Sequence, residues 1–129
     1  MVLAEDHARV AELLRSLLAP EFDVVAVVAD GHALLRAEES ARPDVVVADI
    51  VMPELDGIAA TAALLARRPA LRVVLVTIHD DPVLAERGYA AGALGCVSKQ
   101  HAGHELLPAV RAAMRGERYL SPPIRGADT

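Results

Sequence analysis

Short β-branched runs at residues 2–4, 22–29, 44–48, 71–77 and 95–98 alternate with helical patterns, and no other feature of the chain restricts its fold as much. The run carrying Val45, Val46 and Val47 lacks polar alternation, which marks a strand buried on both faces. Before the second run, Val10, Leu13, Leu14, Leu17 and Leu18 recur at helical spacing and predict a first helix whose apolar stripe lies on the sheet and which Pro20 ends. Further helices are predicted at 32–41, 58–68, 82–91 and 103–115. Asp56 and Asp81 suit N-caps, Pro82 suits a first helical position, and Gly92 and Gly116 suit the C-terminal stops. Pro108 lies deep in the last pattern, where it removes a backbone donor and predicts a kink or a late start. Strands alternating with helices give an α/β class: a parallel sheet covered on both faces by right-handed crossovers.

With 129 residues, 53% of them hydrophobic and 24% charged, the chain fits one compact domain with a real core. A net charge of -5 argues against a grip on nucleic acid by this domain alone, so DNA contact requires another domain. No apolar run approaches the roughly 18–20 residues that cross a bilayer, and no signal-peptide pattern opens the chain, so the expected setting is the cytoplasm, away from the membrane. The single cysteine, Cys96, reads as a small buried hydrophobe. After residue 116 the composition turns to proline, glycine and charge, which predicts a domain over 1–116 and a linker over 117–129.

Four of the five strand runs deliver the polar residues of interest at their C-terminal ends: Glu5 and Asp6 after the first, Asp49 after the third, Thr77 after the fourth and Lys99 after the fifth. In open parallel sheets ligands bind at this edge, where the winding direction reverses. A flavodoxin-like (βα)5 arrangement with a five-stranded sheet in the order 2-1-3-4-5 sets Asp6 and Asp49 across that crevice. Carboxylates gathered within about 5 Å repel by roughly 3 kcal/mol per pair at an effective dielectric near 20. A divalent cation relieves that repulsion, and Mg²⁺ is the natural guest because it takes a few hard oxygen ligands and keeps its waters. Lys99 is the only lysine in a chain that otherwise uses arginine, and a compact, rotatable ammonium suits a point contact with a carboxylate or phosphoryl oxygen. Thr77 offers a hydroxyl donor at the same edge.

These residues resemble the receiver domain of bacterial two-component response regulators. The likeness rests on "AEDH" (Glu5, Asp6), "DIVMPELDG" (Asp49, Met52, Pro53, Asp56, Gly57), "VTIHDD" (Thr77) and "AGALGCVSK" (Lys99), and it covers essentially the whole chain. "VTIHDDP", "AGALG" and "GERYLSPPI" look like the NarL/LuxR-type subgroup, whose receivers precede a helix-turn-helix domain. The resemblance implies a phosphorylation-dependent signalling switch rather than a conventional enzyme. A histidine kinase, or a small phosphodonor, transfers a phosphoryl group to Asp49, with Mg²⁺ held by Glu5, Asp6, Asp49 and the backbone carbonyl of Val51. Lys99 pairs with one phosphoryl oxygen, Thr77 moves to bond another, and slow hydrolysis resets the switch. It further implies dimerisation on phosphorylation, through the first or last helix, and control of transcription by the following domain.

Two positions depart from the family pattern. Cys96 stands three residues before the lysine, where receivers carry Tyr or Phe, so the relay is expected to run through residues 79–91 with help from Tyr89. Gln100 replaces the proline that commonly follows the lysine, which predicts no cis peptide there and a looser loop. The first departure keeps an alternative reading open, a degenerate receiver acting as a protein-interaction module independent of phosphorylation. An aspartyl-phosphate hydrolase of the haloacid dehalogenase kind is disfavoured because Val51 stands where its second acid belongs, and a nucleotide binder because no Gly-rich loop follows the first strand. His101 and His104 with Cys96 complete no ligand set of known spacing. His7 and His79 read as solvated loop residues.

Overall fold

The computed structural model describes residues 1–125; the end of the expected linker, 126–129, lies outside the described residues. The strands β1 (Val2–Ala4), β2 (Ala26–Val28), β3 (Val45–Asp49), β4 (Arg72–Thr77), β5 (Gly95–Ser98) and β6 (Tyr119–Leu120) form one sheet. The helices are α1 (Ala8–Leu18), α2 (Gly31–Ala41), α3 (Gly57–Arg67), α4 (Pro82–Ala90), α5 (Ala102–Met114) and α6 (Pro122–Arg125). All strand pairs are parallel and the order is β2-β1-β3-β4-β5-β6. This is the expected flavodoxin-like arrangement with one further strand at the far edge.

Alternate residues of the central strands feed two cores. Val46, Ala48, Val73 and Leu75 pack with Leu34, Ala60, Leu64 and Ala85 from α2, α3 and α4. Val45, Val47, Val74 and Val76 pack with Leu14, Leu18, Leu106 and Val110 from α1 and α5. Because both faces are covered, β3 is buried at every residue, as its unbroken valine run requires.

The helix ends follow their capping residues. The Asp56 carboxylate accepts from the Ala59 amide at 2.8 Å and Asp81 from Val83 at 2.9 Å, with Pro82 in the first turn. Asp30, which the sequence reading passed over, caps α2 by accepting from Ala33 at 2.8 Å. Gly92 and Gly116 take φ of 111° and 74°, the left-handed region that glycine enters without steric cost.

Several local expectations need correction. β2 is only three residues long, because residues 22–25 run outside the ladder. Leu13 is 55% exposed and Ala11 takes its place facing the core, so the stripe of α1 is narrower than its leucines suggest. α5 starts at Ala102, ahead of Pro108 rather than after it, and continues to Met114 with Leu106, Ala109, Val110 and Ala113 buried. Packing on both sides of the proline holds the helix that local preference would interrupt. The stretch from Tyr119 is part of the folded body: Tyr119 and Leu120 pair with Gly95 and Cys96, and Ile124 is fully buried.

Candidate functional site

Parallel pairing brings the C-terminal ends of β1, β3, β4 and β5 to one edge, and the order reverses at β1, which pairs with both β2 and β3. Glu5 and Asp6 follow β1 directly, and the Glu5 amide extends the ladder by donating to the Val28 carbonyl at 2.9 Å. Asp49 closes β3 opposite Val76. Beyond it the chain turns back sharply: the Gly57 amide donates to the Ile50 carbonyl at 2.8 Å, and a Cβ on Gly57 would lie 2.1 Å from the Asp49 carbonyl oxygen. Only glycine lets α3 begin so close to the end of β3.

Glu5, Asp6 and Asp49 each offer a carboxylate oxygen, and these atoms all lie within 4.8 Å of one another. Glu5 and Asp49 are 2% and 5% exposed, whereas Asp6 is open to solvent. The Lys99 ammonium reaches over this cluster, 2.8 Å from Asp49 Oδ2 and 2.5 Å from Glu5 Oε1. The remaining oxygens meet backbone amides, since Val51 N–H donates to Asp49 Oδ1 at 3.2 Å and His7 N–H to Glu5 Oε2 at 3.1 Å. Glu5 Oε1 is buried and accepts no aligned hydrogen bond despite the nearby ammonium.

The electrostatics follow from burial. Loss of water raises the Glu5 carboxyl above its ordinary range, the Lys99 and His7 contacts pull it back, and the Asp49 charge adds to the rise. Burial alone would lower the Lys99 ammonium, but Asp49 and Glu5 together more than offset it and hold Lys99 above its usual value. The edge thus holds three carboxylates against one ammonium. A set of hard carboxylate oxygens within 4.8 Å of one another, two of the residues buried, fits a small divalent cation.

Thr77 ends β4 fully buried, and its hydroxyl accepts from the His79 amide at 3.0 Å. Val51, with its side chain 56% exposed, lines a cavity of about 260 Å³ together with Glu5, Asp6, Asp49, Ile78, His79 and Lys99. His7 lines the same cavity. The structure therefore gathers Glu5, Asp6, Asp49, Val51 and Lys99 around one space, with Thr77 one residue away at its border. No peptide bond is cis among the described residues, and the segment after Lys99, expected to be loose, forms a 3₁₀ turn over Lys99–His101. Cys96 is buried as expected, and lack of water pushes its thiol up to about 12, with Asp80 adding to the rise.

Sequence reading missed the buried Ser98 and Ser121, the latter donating no pattern of its own but receiving the Ser98 amide on its Oγ at 2.8 Å. Their signal is weak: a serine at a strand end and a serine before two prolines are ordinary residues until the sheet brings them together.

The family model for the response regulator receiver domain matches residues 1–111. The transcriptional regulatory protein DegU of Brevibacillus brevis is 34% identical over 126 residues, covering 96% of this chain and 53% of that protein. Response regulator GacA of Pseudomonas aeruginosa is 32% identical over 126 residues, covering 96% of this chain and 59% of its own. The chain thus spans little more than half the length of these curated relatives. A LuxR-family two-component response regulator from Aurantimonas sp. SI85-9A1 superposes with a TM-score of 0.92 at 34% identity, covering 97% of this chain and 91% of that one. The receiver domain of the response regulator NarL from Mycobacterium tuberculosis gives 0.85 at 30% identity, covering 90% and 95%. Among the described residues no helix is long and apolar enough to cross a membrane.

Proposed function

The chain belongs to the response regulator receiver domain family, a module of phosphorylation-dependent signalling, and on that premise we propose that Asp49 is its phosphoacceptor. One Asp49 carboxylate oxygen attacks phosphorus, an O–P bond forms, and the P–N bond of a kinase phosphohistidine, or the P–O bond of a small phosphodonor, breaks. Reset is the reverse exchange with water: the water oxygen bonds to phosphorus and Asp49 leaves as the free carboxylate.

The observation that carries this reading is the ammonium of Lys99 set 2.8 Å from Asp49 at the rim of a three-carboxylate edge. The ammonium stands beside Asp49, where a phosphoryl oxygen on that residue would need a counter-charge. Glu5, Asp6, Asp49 and the Val51 carbonyl are the groups that would hold Mg²⁺, which when bound supplies neutralising charge for a transferring phosphoryl group. Thr77 presents a hydroxyl at the border of the cavity; it accepts from the His79 amide and keeps its O–H to donate to a phosphoryl oxygen, which would draw the segment after β4 inward.

The downstream steps rest on relatives such as DegU of Brevibacillus brevis and UhpA of Escherichia coli, named as transcriptional regulatory proteins. A cytoplasmic setting, a histidine kinase partner, phosphorylation-promoted homodimerisation, and transcriptional output through a separate DNA-binding domain complete the proposal. The test is labelling by acetyl phosphate with Mg²⁺. The wild-type chain is expected to gain one acid-labile phosphoryl group, and Asp49→Asn none. Absence of an adduct on the wild type would favour the phosphorylation-independent interaction module instead.

A further inference from the structure

The segment after α5 reaches the acidic edge through one hydrogen bond. Ser121, fully buried, accepts the Ser98 amide on its Oγ at 2.8 Å, while its own amide donates to the Cys96 carbonyl at 3.0 Å. Ser98 immediately precedes Lys99, whose ammonium holds both Asp49 and Glu5. The segment has other anchors: the Tyr89 hydroxyl on α4 donates to the Tyr119 carbonyl at 2.6 Å, and the Tyr119 hydroxyl donates to Glu105 on α5 at 3.0 Å. Ile124 seals the end by packing in the same core as Cys96.

We propose that Ser121 is a positioning residue of this pocket, acting through the Ser98 amide to hold Lys99 against Asp49, so that residues 119–125 and the phosphoacceptor stabilise each other. The inference rests on the reading of Asp49 as phosphoacceptor only for its use in signalling. The physical reason lies in where the ladder ends. The β5–β6 register pairs Gly95 with Tyr119 and Cys96 with Leu120, so no β6 residue stands opposite Ser98 in it. A side-chain oxygen takes over there. It satisfies a buried amide that would otherwise cost free energy to leave unpaired, and it fixes the backbone from which the Lys99 side chain departs. A pocket held this way has its ammonium preorganised where phosphoryl charge would develop.

Coupling of this kind is reciprocal: if docking of the segment improves binding at Asp49, then binding at Asp49 must tighten the docking by the same factor. Because Lys99 is the only lysine, lysine labelled with carbon-13 gives one self-assigned signal for the ammonium arm. The experiment compares the whole chain with Ser121→Ala, and with Tyr89→Phe, which loosens the segment without touching the Ser98 amide. Three quantities are read: the Lys99 Cε shift near neutral pH, the affinity for beryllofluoride with Mg²⁺, and amide hydrogen exchange over 117–125.

Ser121→Ala is expected to move the Lys99 signal and to weaken beryllofluoride about 5-fold or more, with Tyr89→Phe acting in the same direction by less. In the wild type, beryllofluoride should slow exchange over 117–125 by the same factor. An unmoved Lys99 signal in folded Ser121→Ala, or tight beryllofluoride binding that leaves exchange over 117–125 unchanged, overturns the inference. If Ser121→Ala does not fold, Tyr89→Phe decides through the same three readouts. A wild type that binds no beryllofluoride overturns the phosphoacceptor reading, and the Lys99 signal still decides the role of Ser121.

Discussion

Replacing Lys99 with methionine removes a charge while keeping most of the side-chain volume, and so isolates what the ammonium does. Its contacts of 2.8 Å to Asp49 and 2.5 Å to Glu5 each amount to about 6 kcal/mol of attraction at an effective dielectric near 20. Burial of the ammonium itself offsets much of that sum. Without it, carboxylate oxygens that lie within 4.8 Å of each other repel by about 3–4 kcal/mol on the same scale. Losing one partner of a buried ion set costs about 3–5 kcal/mol, and Lys99→Met is expected to lose that much in urea titrations near neutral pH with a chelator present.

The loss should shrink on acidification. Burial already raises the Glu5 carboxyl above 4.5, and removing the ammonium raises it further. A carboxyl raised in the folded state binds its proton more tightly there than in the unfolded chain, so stability rises as pH falls through the folded value. Mg²⁺ relieves the same repulsion, adding about 2.7 kcal/mol when present at a hundredfold excess over its Kd. Since the ammonium occupies Glu5 and Asp49 oxygens, the variant should bind Mg²⁺ more tightly and gain more from it than the wild type. A variant as stable as the wild type in chelator, or one that gains less from Mg²⁺, would refute the reasoning.

Two further outcomes follow from the same edge. Gly57→Ala places a Cβ 2.1 Å from the Asp49 carbonyl oxygen, backbone that cannot swing aside, so urea titration should show a loss of at least about 1–3 kcal/mol together with a moved Lys99 carbon-13 signal. The Cys96 thiol, raised from 9.0 to about 12, stays protonated in the native state while the unfolded thiol ionises, so its contribution falls as pH rises past 9.0. At about pH 10 the wild type should have lost about 1.4 kcal/mol relative to its own value at neutral pH that Cys96→Ala does not lose; parallel alkaline slopes for the two proteins would contradict this.

What the sequence made legible tracks how far each residue's environment is set by its neighbours in the chain. β3 was readable because burial on both faces demands an unbroken apolar run, and Val45 to Ala48 supply it. Glu5, Asp6, Asp49 and Lys99 were readable because parallel strands put their C-terminal ends on one edge whatever the details of packing. The bounds of β2 and the existence of β6 were not, both strands being sheet edges of three and two residues whose pairing depends on distant partners. The late start offered at Pro108 failed for the same reason: its local penalty is overridden by contacts that α5 makes only in the folded chain. Leu13 shows the converse, a residue placed on the apolar stripe by spacing and left in solvent while Ala11, Leu14 and Leu18 face the core.

The positions of charge and of pairing weakness in this sheet are complementary. Asp49 closes β3, which is hydrogen-bonded on both sides and covered on both faces, so the carboxylate cannot escape its neighbours by moving. Its repulsion with Glu5 has to be answered by something that arrives: a proton, the Lys99 ammonium or a cation. Lys99 is the one of these that the chain supplies, and it directly follows β5, whose outer partner is the short β6. The rigid centre therefore holds the negative charge while its counter-charge is borne by the turn that follows the strand beside the lightly paired edge. Ser98, which precedes Lys99, is in turn tied by its amide to Ser121 in the segment after α5.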